Sequence, residues 1–388
     1  MMKIMELYTY IHSLLFELYK GKTRTELLEL ALGEIWDTFP VKRVPLLAML
    51  AGSKGLASFV SASAISLMIY TDPDPTTFVA VYKVFKKKGD FQEESDVQLE
   101  ATANIGWGLT DFNTINVGTV SSIIASAAGA KLIKSGSRKF FSESGSGDLL
   151  AALNIPRLDN LELARRVLDN TGLAFIKGEA FSPHATNFSK KLTSVPKDVK
   201  NVLAALTYPL RFAFMFINPL GAMYGVRGIG LPYTEQFTKA LRIVHSYIKR
   251  NITLYGENTD NTIIDEATVS GTTHVTICDN ERITNYDIKP EDLTELGLRY
   301  WKPEDLVIKD ASQGYKIAEK LLKGELKKDN PFVHLIALNS AFNLLAHGIV
   351  RELKDGVEQS FYVIESGLGI KKVNEYKEYV ARWKNGDF

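Results

Sequence analysis

The sequence predicts an α/β protein with a helical N-terminal segment, on three observations. Apolar residues recur at three- and four-residue spacing through most of the first ninety positions. From 101 onward the texture changes to Gly, Ser, Ala and Thr, interrupted by short apolar runs of strand length. Helical spacing then returns toward the C-terminus.

In chain order, Tyr8, Ile11, Leu14, Leu15, Leu18 and Tyr19 form the first helical stripe. Thr23 is a suitable N-cap for a second, which carries Leu27, Leu28, Leu30, Ala31, Ile35 and Trp36. A third apolar stretch, 56–70, ends before Asp72-Pro73-Asp74-Pro75, and a fourth, 76–88, closes in Lys86-Lys87-Lys88. Residues 89–100 are polar and read as a link. Beyond it, 117–133 has helical spacing, whereas 173–176 and 252–255 read as strands. Residues 272–277 and 282–288 flank Asp279-Asn280, a pair suited to a hairpin turn. Helices are expected over 313–322, 332–353, 357–366 and 372–383. No internal repeat is evident.

A chain of 388 residues fits two domains, or one large domain with a smaller companion. Its 46 Lys and Arg against 45 Asp and Glu leave a net charge of +1. That excludes a polyanion binder working by bulk charge and leaves room for a local basic groove. The single Cys278 excludes an internal disulfide framework and a cysteine zinc cage, and points to the cytoplasm. Neither long apolar stretch reads as a membrane span. Residues 56–70 are too few, and 203–226 carries Arg211 near its middle, where an Arg costs about 2.5 kcal/mol or more. The first residues mix charges into their apolar run and show no small-residue cleavage site, so no secretory signal is expected.

The chemistry concentrates in 104–153. Four small-residue loops follow one another there: Gly106-Trp107-Gly108-Leu109-Thr110-Asp111, Asn116-Val117-Gly118-Thr119, Lys134-Ser135-Gly136-Ser137-Arg138 and Ser144-Gly145-Ser146-Gly147-Asp148. Backbone N–H groups in such turns and at helix N-termini bind phosphate oxygens, and Lys134 and Arg138 would add full charges. Taken singly, each of these loops reads more readily as a tight turn between packed elements. Four in fifty residues favour an anion site.

Asp265-Glu266 follows an apolar run, and adjacent carboxylates suit a hard cation such as Mg²⁺ completed by water and phosphate oxygens. Alone, the pair reads as solvated charge at the end of an element. Arg211, in an apolar surround, needs an anionic partner, either a carboxylate of this chain or a ligand. Of six histidines, His184 lies in a polar loop, and no HExxH pattern, G-x-S-x-G elbow or Walker A motif is present. Phe140, Phe141, Phe181, Phe212, Phe214 and Phe216 suit either a core or the floor of a pocket for a planar molecule.

These pieces stand in an order that resembles the anthranilate phosphoribosyltransferase family. Asn116-Val117-Gly118-Thr119 resembles N-[IV]-S-T, and Lys134 to Arg138 resembles K-H-G-N-R. Residues 144–153 resemble S-G-S-A-D-V-L-E-A-L, and 211–220 resemble R-T-x-F-N-x-L-G-P-L. Asp265-Glu266, Gly271-Thr272-Thr273 and Pro290-Glu291-Asp292 resemble D-E…G…T-P-E-D. Ala337-Leu338-Asn339-Ser340-Ala341 and Asp355-Gly356-Val357 resemble A-L-N-A-A…E-G-V. The likeness covers about residues 104–370. Departures are specific: Trp107 and Leu109 interrupt a loop that the family writes G-T-G-G-D-G, and Gly118 replaces the serine of N-[IV]-S-T. K-H-G-N-R has lost its His and Asn, and the acceptor-side H-P-A aligns with Ser182-Pro183-His184. In the Arg211 loop, Met215 and Asn218 replace the family's Asn and Gly.

The resemblance implies a small helical N-terminal domain at 1–100 and a larger α/β domain at 101–388. The latter would hold a central mixed sheet flanked by helices, with part of 185–215 packing with the helical domain. It implies a pentosyltransferase that uses phosphoribosyl pyrophosphate (PRPP) and Mg²⁺, with anthranilate the default acceptor, as in tryptophan biosynthesis, and a cytoplasmic homodimer. Carried over residue by residue, Gly106, Gly108, Asn116, Thr119, Lys134, Arg138, Ser144 and Ser146 would contact phosphates and ribose. Asp265 and Glu266 would hold the metal, Arg211 would anchor an acidic or aromatic acceptor, and His184 is the candidate acceptor-side base. A second reading is a non-catalytic relative that binds nucleic acid or a protein partner through the same cleft, rimmed by Lys86-Lys87-Lys88, Lys190-Lys191, Lys249-Arg250 and Lys327-Lys328. A third is a nucleoside phosphorylase on the same scaffold.

Overall fold

The structure is a computed structural model and describes residues 73–87, 98–108, 112–136, 145–178 and 212–386. Backbone proximity divides the chain into two units. In the first, helix α1 (Pro75–Lys87) starts at Asp74, whose carboxylate accepts the Thr76 N–H at 2.7 Å. Phe78, Val81 and Tyr82 face inward, and the Tyr82 ring lies 5.3 Å from that of Phe216, just beyond the short helix α5 (Phe212–Met215).

The second unit is built on one eight-stranded sheet in the order β3-β2-β1-β4-β5-β7-β8, with β6 paired to β5. The strands are β1 (Leu99–Gly106), β2 (Leu132–Gly136), β3 (Leu173–Lys177), β4 (Ala222–Gly228), β5 (Arg250–Asn258), β6 (Ile263–Ile264), β7 (Gly271–Asp279) and β8 (Arg282–Ile288). The first five in spatial order pair in parallel, whereas β6, β7 and β8 join antiparallel. This is the mixed central sheet expected.

Parallel neighbours need crossovers, and helices supply them. Helix α2 (Val117–Ala127) links β1 to β2, and α3 (Ser146–Ala152) and α4 (Leu161–Thr171) lie between β2 and β3. Further along are α6 (Thr234–Val244), α7 (Ala311–Leu322), α8 (Pro331–His347), α9 (Leu353–Glu365) and α10 (Leu368–Lys384). Helix α8 is the hub. It starts with Asn330, whose side chain accepts the Phe332 N–H, and Pro331 at the first turn. It is buried along nearly all its length and packs on α2, α9, β1, β4 and β5.

Several expectations need correction. Strands β1, β2 and β4 were not anticipated. β1 reads LEATANIG and β4 AMYGVRG, sequences poor in the β-branched residues that announce strands, yet both are buried on both faces as parallel strands are. The helical spacing over 117–133 overran: α2 stops at Ala127, and Leu132 and Ile133 belong to β2. The helix expected over 332–353 ends early, at His347, because Gly348, at φ 85°, closes α8 in a left-handed cap, and the helix expected over 357–366 starts early, at Leu353. The hairpin turn sits one residue later than expected, on Asn280-Glu281, since Asp279 pairs with Arg282.

Candidate active site

Ligands of parallel sheets bind at the carboxyl ends of the strands, because loops and helix N-termini converge there. In this chain β1 ends in Gly106, β2 in Gly136 and β4 in Gly228. The hydrogen-bonded register explains how the acidic couple joins them. The last β4–β5 pair is Gly228 with Leu254, and two residues on Gly256 pairs with Ile264 of β6. Strand β6 therefore occupies the edge of β5 that β4 has vacated, and it delivers Asp265-Glu266 onto the end of β4. Contact there is so close that a Cβ on Gly228 would stand 1.6 Å from the Asp265 carbonyl oxygen. Only glycine fits.

The polar groups converge on the first turn of α2. The Lys134 ammonium, from β2, donates to the Asn104 carbonyl at 3.3 Å. A Cβ on Gly118 would lie 3.1 Å from that ammonium and 3.2 Å from Asn104 Oδ1. Glu266 accepts the Gly118 N–H and shares a hydrogen bond with Asp265, and the fields of both carboxylates act on Lys134. Burial dominates the electrostatics. It pulls the Lys134 ammonium down to about 8, with Glu266 and then Asp265 opposing it. Burial first, and the neighbouring Asp265 second, push the Glu266 carboxyl well above the ordinary range. Arg227 is wholly buried nearby; its Nη1 donates to the Ala103 carbonyl at 2.7 Å, and burial lowers its guanidinium to about 10.

Asn104, Gly106, Gly118, Gly228, Asp265 and Glu266 line a cavity of about 20 Å³, room for roughly one water. The described residues thus form an anchoring point, not a whole ligand pocket. A cavity of about 650 Å³ beside Arg250, Tyr286 and Arg351 opens at the other end of β5, away from these charges.

The structure brings Lys134, Asp265 and Glu266 together, as a shared anion-and-metal site requires. Thr119 sits in the first turn of α2, and its buried Oγ1 has no hydrogen-bond partner among the described residues. Asn116 occupies the N-cap of that helix. Ser146 starts α3 and packs on Gly136: a Cβ on that glycine would lie 2.7 Å from the Ser146 Cβ. Gly106 and Gly108 lie against a carboxylate. Gly108 donates its N–H to Asp265 Oδ2 at 2.6 Å, and a Cβ on Gly106 would lie 2.8 Å from the same oxygen. The intervening Trp107 is buried, and its backbone N–H donates to the Gly228 carbonyl. Arg138, Ser144, His184 and Arg211 lie outside the described residues.

Sequence reasoning missed Gly228, Asn104, Asn343 and Arg227. It quoted Asn339 only as part of a motif. A signal existed for the two helical asparagines: Asn339 and Asn343 stand one turn apart in a largely apolar stretch. Gly228 gave none, because its neighbour Asp265 is distant in sequence.

Residues 101–370 match the glycosyl transferase family, a/b domain. An anthranilate phosphoribosyltransferase from Thermoanaerobacter sp. (strain X514) is 32% identical over 282 residues, 71% of this chain and 76% of that protein. The chain belongs to the anthranilate phosphoribosyltransferase family. A second member of the anthranilate phosphoribosyltransferase family, from Shewanella sp. (strain MR-4), is 27% identical over 85% of this chain and 95% of its own length. Two solved structures share the fold. The enzyme from Thermus thermophilus matches with a TM-score of 0.68 at 20% identity, covering 96% of this chain and 99% of that one. That from Saccharomyces cerevisiae, in complex with PRPP and Mg, matches at 0.69 and 18%, covering 98% and 99%. Against the family's N-[IV]-S-T, Gly118 is the departure that the geometry explains, since it leaves the space that the Lys134 ammonium and the Asn104 side chain border.

Proposed function

We propose that this chain transfers the phosphoribosyl group of PRPP to anthranilate, with release of diphosphate, in tryptophan biosynthesis. Family membership supports the reaction. The observation that carries it on this chain's own residues is the meeting of Lys134 with Asp265-Glu266 around Gly118, at the carboxyl ends of β1, β2 and β4.

Mg²⁺ fits the donor set. Two adjacent carboxylates, hydrogen-bonded to each other and buried enough to raise Glu266, gain from a divalent cation, and Mg²⁺ takes few protein ligands beside phosphate and water. Asp265 and Glu266 would hold it, and bound there it would neutralise diphosphate charge. Among the described residues no group of three or more His, Cys, Asp or Glu forms a metal cage, and this mode of binding needs none.

The chain's own groups then have distinct tasks. Lys134 balances the negative charge that grows as the bond from ribose C1 to the diphosphate oxygen breaks. Thr119 and Ser146 offer hydroxyls to phosphate or ribose oxygens. Asn116 and Arg138 are further candidates for contacts to those oxygens. The anthranilate nitrogen bonds to C1 and gives up a proton, for which His184 is the candidate acceptor, while Arg211 grips the acceptor's carboxylate. By analogy with glycoside cleavage, C1 has oxocarbenium character between the two bonds. A homodimer in the cytoplasm completes the reading. No helix among the described residues is long and apolar enough to cross a membrane.

The test is diphosphate release from PRPP with anthranilate and Mg²⁺. Turnover that vanishes in the double variant Asp265→Ala, Glu266→Ala supports the proposal. Absence of turnover in the unaltered chain, or formation of ribose 1-phosphate from nucleoside and phosphate instead, refutes it.

A further inference from the structure

The acidic couple and the lysine reach the site on different strands, and one face of α8 ties both down. Asn339 is buried, and its whole carboxamide is engaged. Its Oδ1 accepts the Ala267 N–H at 3.0 Å, and its Nδ2 donates to the Ala267 carbonyl and to the Leu335 carbonyl, each at 2.9 Å. Pairing with both backbone groups of Ala267 fixes the position and the plane of the chain immediately after Glu266. One turn further on, Asn343 is fully buried. Its Nδ2 donates to the Asn339 carbonyl at 3.0 Å and to Ser121 Oγ at 3.5 Å, and its Oδ1 accepts Asn104 Nδ2 at 2.9 Å. Asn104 in turn presents its carbonyl to the Lys134 ammonium.

We propose that Asn339 and Asn343 are positioning residues that set the distance between the Asp265-Glu266 metal couple and Lys134. The inference rests on the transferase reading above. The chain of contacts is continuous: Glu266, Ala267, Asn339, Asn343, Asn104, Lys134. Its middle is a helical turn, whose rise is fixed by backbone hydrogen bonds. Asparagine is a poor helix former, and a buried carboxamide demands partners for all its polar atoms, so two of them on the inner face of α8 oppose simple core packing. Partners that orient metal-ligating groups commonly alter metal affinity ten- to a hundredfold when removed.

The test uses the full chain with Mn²⁺ as a spectroscopic substitute for Mg²⁺. Bound Mn²⁺ is measured by electron paramagnetic resonance with PRPP present, beside thermal melting and the KM and kcat for PRPP. Asn339→Ser should fold and bind Mn²⁺ about tenfold more weakly. Asn343→Ala should raise KM for PRPP more than it lowers kcat, and weaken Mn²⁺ binding to a smaller extent. Ser340→Ala removes a buried hydrogen bond from the same helix to the Ser121 carbonyl and should leave Mn²⁺ affinity unchanged. The proposal is overturned if a folded Asn339→Ser binds Mn²⁺ within twofold of wild type, or if Ser340→Ala weakens binding equally. If Asn339→Ser does not fold, Asn343→Ala decides on the same readouts. If neither folds, the asparagines serve the fold alone and the proposal fails. A wild-type chain that takes up no Mn²⁺ with PRPP sinks the transferase reading itself, a result distinct from unchanged affinity in the variants.

Discussion

The carbonyl oxygen of Asp265 rests against the Cα of Gly228, so close that a methyl group there would be 1.6 Å away. The acidic couple Asp265-Glu266 is thus seated on a backbone surface that no side chain can occupy. Gly228→Ala must push β6 off the end of β4 or distort β4 itself. The expected cost is about 3 kcal/mol or more, with loss of phosphoribosyl transfer. Denaturant unfolding and diphosphate release measure the two effects.

Glu266→Gln separates stability from function. The mutation removes a buried carboxyl that sits beside Asp265 and whose pKa is raised. A carboxyl of raised folded-state pKa loses stability as pH climbs from its unfolded value, near 4.5, through the folded one. In the metal-free protein the glutamine variant should therefore melt higher than wild type at neutral and alkaline pH, with the advantage vanishing in acid. Its kcat/KM for PRPP should fall roughly a hundredfold or more. A variant that melts lower at pH 8 contradicts the electrostatic account.

Gly118 tests the space beside Lys134. Serine at 118 would bring its Cβ to 3.1 Å from the ammonium, which must give by a few tenths of an ångström, and its hydroxyl can accept a hydrogen bond from Lys134. Gly118→Ser should keep KM for PRPP within about threefold, whereas Gly118→Val, apolar and branched, should raise it tenfold or more. Equal KM values for the two variants would exclude steric control at this position.

Two histidines predict an acid limit. Burial lowers the pKa of both His334 and His347. His334 Nδ1 accepts the Arg299 N–H at 3.2 Å, a bond that protonation of that nitrogen removes. A base with a lowered folded-state pKa is protonated first in the unfolded chain, so stability is full above about 6.5 and declines as pH falls toward the folded-state values. The melting temperature should drop as pH falls below about 6.5, because both imidazoles take up protons more readily in the unfolded chain. His334→Gln should remove part of that drop, read as melting temperature against pH.

Much of the second unit was legible. The helical spacing that begins at 332 falls on the start of α8, and the runs of β7 and β8 sit within a residue of their expected turn. Such elements announce themselves because caps, turns and periodic burial act over a few residues. β1 and β4 were silent because helices cover both faces of a parallel strand, so alternation disappears, and because close neighbours select Ala and Gly over β-branched residues. At the site, Lys134, Asp265 and Glu266 were readable as charges in suspicious company. Gly106 and Gly108 were readable as a small-residue loop, but their contact with the Asp265 carboxylate was not.

By itself, the sequence determined the α/β character of the chain, its family and the residues that carry charge, since these follow from local periodicity and the order of short motifs. Only the tertiary structure decided that β6 continues the edge left by β4, that Gly228 must be glycine, and that Asn339 and Asn343 link the acidic couple to Lys134. Those facts depend on contacts between residues tens to hundreds of positions apart. Pairing of that kind is set by sheet register and helix packing, and neither leaves a trace in neighbouring residues.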